Sequence, residues 1–131
     1  MAGIYIHIPF CKQACHYCNF HFSTSFDKYR TEMINAICNE ILLQANFFED
    51  RKTSIQTVYF GGGTPSILTQ NEFIKIWDSL ENTFNLTEVQ DVTLEANPDD
   101  MGDYFFELIS SSKINRLSIG VQSFDNLDLA Y

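Results

Sequence analysis

The sequence is short of basic residues and has no long hydrophobic run. Its 131 residues include 8 Lys and Arg against 17 Asp and Glu, a formal net charge of −9. A nucleic-acid surface needs a basic patch, so this balance argues against that class of protein. No apolar run approaches the ~20 residues that a membrane-spanning helix requires. The N-terminus also lacks a basic segment followed by an apolar run, so we expect a cytoplasmic protein without a signal peptide.

Low-complexity segments and linkers are absent as well. A hydrophobic content of 45% is enough to bury a core, so a single globular unit is expected. The one strongly charged stretch, residues 49–52, predicts a solvated turn. The net charge itself indicates little beyond solubility.

Cysteine is scarce, but three of the four cysteines lie close together. Cys11, Cys15 and Cys18 follow a predicted strand with the spacing C-x3-C-x2-C. Thiolates this close, on a loop that leaves a strand, can bind one soft metal centre. An ordinary iron–sulfur cluster takes four cysteines, so three would leave one iron without a protein ligand. The leading interpretation is a 4Fe-4S cluster with one iron free to hold a small molecule.

Two other interpretations of these cysteines stay open. A Cys3His zinc site could use His7, His16 or His21, although zinc ribbons usually carry two separated C-x2-C pairs. A disulfide is disfavoured because three cysteines in a tight group suit a reducing compartment better than an oxidising one. Cys38 lies apart from the group in a helical pattern, which predicts a buried core thiol.

Strands and helices alternate regularly along the chain, which predicts a parallel sheet with right-handed crossovers. The predicted strands cover residues 4–8, 58–60, 91–96 and 116–122. The predicted helices cover about residues 26–47, a segment opened by the capping-box residues Thr69 and Glu72, and about residues 101–110. The first helix should bury a stripe of Phe26, Tyr29, Met33, Ile37 and Ile41, and the second a face of Phe73, Ile76, Trp77, Leu80 and Phe84.

The predicted strands carry apolar side chains on one face and polar groups on the other. In the third strand Thr93 and Glu95 lie opposite the apolar face. A doubly wound sheet is covered by helices on both faces and is apolar throughout, so this pattern favours an open α/β barrel with helices outside. A full (β/α)8 barrel runs to ~250 residues, so we expect this chain to hold only the first part of a barrel.

Four segments should meet at the carboxyl ends of the strands, where parallel α/β folds bind ligands. They are the cysteine loop and residues 61–65, 95–98 and 120–122. In the second segment, Gly61-Gly62-Gly63-Thr64-Pro65, glycines allow a ligand to approach the backbone closely. A flexible turn would explain the same residues, and the lysine and spacing of a phosphate-binding loop are missing.

The string YIHIPFC…CHYCNF, with Tyr17 before the last cysteine, resembles the cluster loop of radical S-adenosylmethionine (SAM) enzymes. Together with GGGTP it resembles one branch of them, the oxygen-independent coproporphyrinogen oxidases and the related HemW-type heme chaperones. The resemblance implies that residues 1–131 are the N-terminal part of a partial (β/α)6 barrel, whose remaining strands and C-terminal domain lie outside this chain. It also implies a 4Fe-4S cluster on Cys11, Cys15 and Cys18, and SAM contacts from Tyr5, Tyr17, Gly62, Gly63, Thr64, Glu95 and Gln122.

Three of the polar residues at this mouth have structural alternatives. Glu95 could form a salt bridge with Arg116 inside the barrel, and Gln122 could cap its strand. His7 is interpreted as a core histidine with satisfied hydrogen bonds that faces the barrel interior below the cluster. No role is assigned to His16 or His21.

The resemblance further implies reductive cleavage of SAM to methionine and a 5′-deoxyadenosyl radical, with a reductant protein as a partner. The oxidases carry a further cysteine two residues after the third, where this sequence has Phe20. This difference favours a heme chaperone that binds heme and transfers it to acceptor proteins. A coproporphyrinogen III oxidase of porphyrin biosynthesis is the alternative. A structural metal or electron-transfer module is the second alternative, although it would need neither the glycine segment nor Glu95.

Overall fold

A parallel four-stranded sheet organises the residues that the computed structural model describes, 2–48 and 53–129. The strands are β1 (Ala2–Ile8), β2 (Ile55–Gly62), β3 (Asp91–Ala96) and β4 (Arg116–Ile119). They are paired in sequence order, β1-β2-β3-β4. A doubly wound sheet reverses its strand order at a switch point, whereas this order continues in one direction as in a barrel. The predicted α/β fold with parallel strands is confirmed. The predicted turn at residues 49–52 lies outside the described residues.

Helices cover the apolar face of this sheet. They are α1 (Arg30–Leu43), α2 (Gln70–Thr83) and α3 (Asp103–Ser111), whereas the short α4 (Asn126–Leu129) buries no residue. Val58 and Phe60 of β2 are fully buried, and the Phe60 ring lies 5.0 Å from that of Phe73 on α2. The opposite face carries polar and aromatic side chains such as Tyr59 and Glu95, as the alternation along the strands predicted. Within the described ranges no helix has the length and apolar character needed to cross a membrane.

The second predicted helix is confirmed together with its start signal. Thr69 caps α2: its hydroxyl accepts a hydrogen bond from the Glu72 amide, and the Glu72 carboxylate accepts one from the Thr69 amide at 2.8 Å. This reciprocal pair satisfies two amides that the first turn of a helix would leave unpaired. The buried face is the predicted one and consists of Phe73, Ile76, Trp77 and Leu80, with Phe84 partly buried beside it.

The predicted buried stripe of the first helix is confirmed at Ile37 and Ile41 but wrong at Tyr29 and Met33. α1 begins at Arg30, after a separate 3-10 helix at Phe26–Lys28, and it ends at Leu43. Its buried residues are Ile34, Cys38 and Ile41, with Ile37 partly buried. Tyr29 and Met33 are 64% and 38% exposed, and the side chain of Phe26 lies outside the description. The face that packs on α2 therefore decides which stripe is buried, and the alternative apolar spacing faces solvent. The prediction of a buried thiol at Cys38 is confirmed.

The fourth strand is shorter than predicted. β4 ends at Ile119, and the last hydrogen bond toward β3 runs from the Gly120 amide to the Ala96 carbonyl at 3.0 Å. The chain then turns through two tight hydrogen bonds, from Val121 to Ile119 and from Ser123 to Val121. This turn takes the backbone out of the sheet before Gln122, although the apolar alternation of the sequence continues to Val121.

Candidate metal and cofactor site

The four loops at the carboxyl ends of the strands surround a cavity of about 390 Å³. This convergence follows from the parallel sheet, because all four strands deliver their following loops to the same edge. Nine of the ten residues predicted for the cluster and SAM line this cavity: Cys11, Cys15, Tyr17, Cys18, Gly62, Gly63, Thr64, Glu95 and Gln122. Tyr5 is the tenth, and it does not line the cavity.

The cysteine loop is a closed loop with a hydrogen-bonded base. The Ser23 amide donates to the Pro9 carbonyl at 2.7 Å, and the Cys11 amide donates to the Ser23 carbonyl at 3.1 Å. Within the loop the Cys18 amide donates to the Cys15 carbonyl at 3.1 Å, which forms a turn between the second and third cysteines. The short sequence between Cys11 and Ser23 therefore holds all three thiols beside the end of β1.

The three loop cysteines are free, half-buried thiols. Burial raises the pKa of the Cys11 thiol, whereas the Thr64 hydroxyl, 3.4 Å from the Cys11 sulfur, acts to lower that pKa. A hydroxyl that donates to sulfur favours the thiolate, which is the form that binds metal. Thr64 thus links the glycine segment directly to the first cysteine.

The loop cysteines and histidines are not gathered around one point. Among the described residues, no three His, Cys, Asp or Glu side chains lie close enough together to share one metal ion. A single zinc ion needs every thiolate sulfur ~2.3 Å from one centre, so the Cys3His alternative is not supported by this arrangement. A 4Fe-4S cluster takes its cysteines on different irons and spaces them around a larger body. The three histidines are not among the residues that line the cavity.

The glycine segment is a fixed backbone turn that needs glycine at two positions. Gly62 has a φ of 115°, and a Cβ there would lie 2.7 Å from the imidazole ring of His7. A Cβ on Gly63 would lie 2.6 Å from the Phe10 carbonyl oxygen, and the Gly63 amide donates to the Ile8 carbonyl at 2.7 Å. Both positions therefore bring the end of β2 against the end of β1, with backbone facing the cavity.

Glu95 is held by two protein donors. The Tyr59 hydroxyl donates to Glu95 Oε1 at 2.7 Å, and the Gly62 amide donates to Oε2 at 3.1 Å. The hydrogen bond to Glu95 is the main reason that the pKa of Tyr59 is raised. Arg116 instead pairs with Asp91 at 2.7 Å, so the predicted alternative of a Glu95–Arg116 bridge is not what this structure contains. The half-buried carboxylate forms part of the cavity wall.

His7 and Tyr5 lie on the inner face of β1. The His7 Nε2 donates to the His21 carbonyl at 2.9 Å, and because a carbonyl only accepts, Nδ1 is left to accept from the Tyr5 hydroxyl at 3.3 Å. His7 is thus a histidine with satisfied hydrogen bonds, half-buried rather than in the core. The ring of Tyr5 stacks on that of Tyr59, with 5.9 Å between centroids. The Tyr5 hydroxyl is directed to His7, which explains why Tyr5 does not line the cavity.

The rim of the cavity carries exposed aromatic side chains. Tyr17 and Phe20 are 69% and 71% exposed, and both line the opening. Gln122, on the opposite side, has a φ of 64°, a left-handed conformation that is uncommon outside glycine. A Cβ on Gly120 would lie 2.9 Å from the side-chain amide nitrogen of Gln122, so the glycine makes room for this side chain.

Sequence reasoning missed several residues around this site, including Tyr59, Lys12 and Asp100. Tyr59 shares the inner face of β2 with Gly61, so the period-two alternation could have indicated it as a neighbour of Glu95. Lys12 and Asp100 line the cavity itself and form an ion pair with each other. No local pattern indicates this pair, because 88 positions separate the two residues.

The sheet and the cysteine loop define the class of protein: a parallel α/β barrel segment with a cluster-type thiol loop after its first strand. Residues 5–130 match the model of the Radical SAM superfamily. The chain belongs to this superfamily, whose membership implies a 4Fe-4S cluster and SAM. The predicted resemblance is confirmed at this level.

The curated relatives include heme chaperones and a coproporphyrinogen III oxidase. The chain is 34% identical over 122 residues to the heme chaperone HemW of Lactococcus lactis, covering 93% of this chain and 31% of that protein. It is 32% identical to HemW of Bacillus subtilis, covering 96% and 33%. It is also 32% identical to an oxygen-independent coproporphyrinogen III oxidase of Bradyrhizobium diazoefficiens, covering 95% and 28%. The chain therefore spans about a third of the length of these relatives.

A solved structure shows the same fold. The coproporphyrinogen III oxidase HemN of Escherichia coli, described as a radical SAM enzyme, superposes with a TM-score of 0.83 at 24% identity. The match covers 96% of this chain and 29% of that chain. At this identity the likeness speaks for the fold alone.

Proposed function

We propose that this protein binds a 4Fe-4S cluster through Cys11, Cys15 and Cys18 and holds SAM beside it. The observation that carries the proposal is that the three thiols line the same cavity as the glycine segment and Glu95. Three thiolates leave one iron of a four-iron cluster without a protein ligand, and SAM can take that position. When bound, the pair supplies reductive cleavage of SAM. A purely structural or electron-transfer module would not need the glycine segment and Glu95 beside the thiols.

The residues proposed for SAM present complementary groups. At Gly62, Gly63 and Thr64 the backbone faces the cavity without large side chains in the way. Glu95 uses one hydrogen bond at each oxygen, so each oxygen has a lone pair left for a ribose hydroxyl or an ammonium group. We place Tyr17 and Gln122 at the rim, where they would cover the bound cofactor. To reach bound SAM, the Tyr5 side chain would have to break its hydrogen bond to His7.

We propose further that the protein is a heme chaperone of the HemW type rather than a coproporphyrinogen III oxidase. Phe20 supports this choice, because it lies at the cavity rim where the oxidases carry a cysteine. An exposed phenyl ring can pack on a flat macrocycle, but it cannot replace a thiol. The protein would then not decarboxylate porphyrinogens.

The whole protein's organisation is part of the proposal. Residues 1–131 would form the N-terminal part of a radical SAM core domain, followed by the rest of the barrel and a C-terminal domain. The proposed partners are heme or a porphyrin, a reductant protein for the cluster, and heme-acceptor proteins, all in the cytoplasm. The chain's share of about a third of its relatives' length is consistent with this organisation.

The choice of function is tested on the complete gene product, loaded anaerobically with cluster and SAM. We expect heme to bind, followed by absorbance, and coproporphyrinogen III to be returned unchanged in a turnover assay with product analysis. Phe20→Ala should weaken heme binding several-fold, because an aromatic contact contributes ~0.5–1.5 kcal/mol beyond its buried area. Phe124→Ala is the matched control, since Phe124 is 94% exposed and does not line the cavity.

Formation of protoporphyrinogen in this assay would contradict the chaperone proposal and favour the oxidase. If SAM binds but neither heme binding nor turnover is found, the SAM site would be supported, and both the chaperone and the oxidase would be contradicted. A protein that takes up iron but not SAM would favour the electron-transfer or structural module.

A further inference from the structure

Asp100 presents a buried carboxylate at the junction of three loops. It ends the 3-10 helix Pro98–Asp100 that follows β3, and its side chain is 3% exposed. The Ser66 hydroxyl donates to Asp100 Oδ2 at 2.7 Å. Ser66 belongs to the 3-10 helix Pro65–Ile67, which follows the glycine segment, and its oxygen also accepts from the Asn97 amide at 3.4 Å. The carboxylate therefore joins the loops after β2 and β3.

The cation paired with this carboxylate comes from the cysteine loop. The Lys12 ammonium forms an ion pair with Asp100 Oδ1. Lys12 follows Cys11 directly, and its side chain is 62% exposed while that of Asp100 is almost fully enclosed. A buried carboxylate is unfavourable unless it is paired with a cation and hydrogen-bonded. The need of Asp100 for a partner thus favours the loop conformation that brings Lys12 over it.

We propose that Lys12 is a positioning residue for the cluster site, acting through Asp100. Its ion pair holds the cysteine loop against the loops after β2 and β3, so that the three thiols line the cavity before a cluster is bound. The hydrogen bonds at Pro9, Cys11 and Ser23 fix only the base of that loop. The Thr64 hydroxyl contacts Cys11 from the segment after β2, and the ion pair adds a charged tie from the loop to Asp100 after β3. Pre-organised ligands bind with a smaller entropic cost.

The first test uses the metal-free, reduced gene product, so it does not depend on the proposed cluster. The rate of alkylation at each cysteine is measured by mass spectrometry in the wild type and in Lys12→Met. We expect alkylation of Cys15 and Cys18 to become about tenfold faster, the change that loss of one charge-assisted hydrogen bond gives. Cys38 is the internal reference, because it is buried in the core and reports general unfolding. Lys12→Arg should restore the wild-type rates, and Lys28→Met, at another exposed lysine, should not change them.

Asp100→Asn provides the decisive background. The asparagine keeps an oxygen for Ser66 but removes the charge that Lys12 balances. The double variant has no charge at either position, so it can fold even if Lys12→Met alone does not. Lys12→Met should then change the alkylation rates in the wild type but not in the Asp100→Asn protein. Equal effects in both backgrounds, or an equal rise at Cys38, would overturn the proposal.

The second test rests on the proposed function, because it follows iron in the reconstituted protein. Lys12→Met should lose cluster absorbance to a chelator about tenfold faster than the wild type, and Lys12→Arg should lose it at the wild-type rate. A wild type that takes up no cluster would contradict the proposed function, while the alkylation result would still decide the role of Lys12. Unchanged alkylation in Lys12→Met would overturn the positioning role.

Discussion

Glu95 shows how one side chain of the site is oriented by its neighbours. Tyr59 and the Gly62 amide each hold one carboxylate oxygen, at 2.7 and 3.1 Å. These contacts set the direction of the carboxylate without using all its lone pairs. The strand position predicted a polar group at the inner face, but the two donors depend on how β2 and β3 lie side by side.

We predict that Glu95→Ala weakens SAM binding at least tenfold and leaves the iron content unchanged. Loss of a charge-assisted hydrogen bond typically costs ~1.5–3 kcal/mol, and Glu95 is not among the proposed cluster ligands. Affinity is measured by calorimetric titration of the reconstituted protein. Tyr59→Phe should weaken affinity less, because the Gly62 amide still orients the carboxylate. Glu107→Ala, on the exposed side of α3, is the control. An unchanged affinity in Glu95→Ala would give this residue a structural role only.

At the scale of elements, one carboxylate joins the starts of α1 and α2. Glu72 completes the capping box of α2 and also accepts from Arg30 of α1 at 2.5 and 2.7 Å. Arg30 donates to the Ile67 carbonyl as well and lies 5.1 Å over the Phe10 ring. Burial, the largest single effect, raises the pKa of Glu72, but the hydrogen bonds from Arg30 and Thr69 together outweigh it and hold the pKa below its usual value.

This lowered pKa predicts a specific acid response. A carboxyl group that is more acidic in the folded state stabilises the protein above its unfolded pKa, about 4.5 for glutamate here. That contribution is lost as the pH falls through the lower, folded pKa. Glu72→Gln should therefore reduce the free energy of unfolding at pH 7 by about 1–3 kcal/mol, and its difference from the wild type should shrink below pH 4.5.

Urea unfolding of the metal-free protein at a series of pH values from 7 downwards measures this difference. Glu107→Gln serves as the matched control, since it removes an exposed carboxylate from another helix. A difference between wild type and Glu72→Gln that stays constant through the acid range would show that the charge of Glu72 is not the source of its effect.

The fold as a whole separates the cysteines into a group of three at the cavity and one in the core. Cys11, Cys15 and Cys18 line the cavity at the carboxyl ends of the strands. Cys38 is buried on α1, where its thiol lies 3.7 Å from the Lys75 carbonyl of α2. All four side chains are thiols, but the topology leaves three of them at the cavity and encloses the fourth in the core.

We predict that anaerobic reconstitution with iron and sulfide gives about four irons per chain, the number in a cubane cluster. Serine at Cys11, Cys15 or Cys18 should abolish the cluster, because each removes one of three protein ligands. Cys38→Ser should keep it, and this variant is the control for a change of thiol to hydroxyl. Iron and sulfide analysis with absorbance spectra measures the outcome. Loss of the cluster in Cys38→Ser to the same extent as in Cys18→Ser would refute this ligand assignment.

The sequence by itself determined the class of fold and which loops meet at one cavity. Alternation along the strands and the capping box at Thr69 are local signals, set by which face of a strand is buried and by which amides a helix leaves unpaired. Parallel topology then brings loop residues far apart in sequence to one edge, so nine of ten predicted residues line one cavity.

Only the tertiary structure decided the remaining features, because each depends on a partner distant in sequence. α1 has two apolar stripes, and contact with α2 selects the one with Ile34 and Cys38. β4 ends at Ile119 because the chain leaves its neighbour β3 there. The Lys12–Asp100 ion pair joins residues 88 positions apart, and it exists because a buried carboxylate must find a cation wherever the fold provides one.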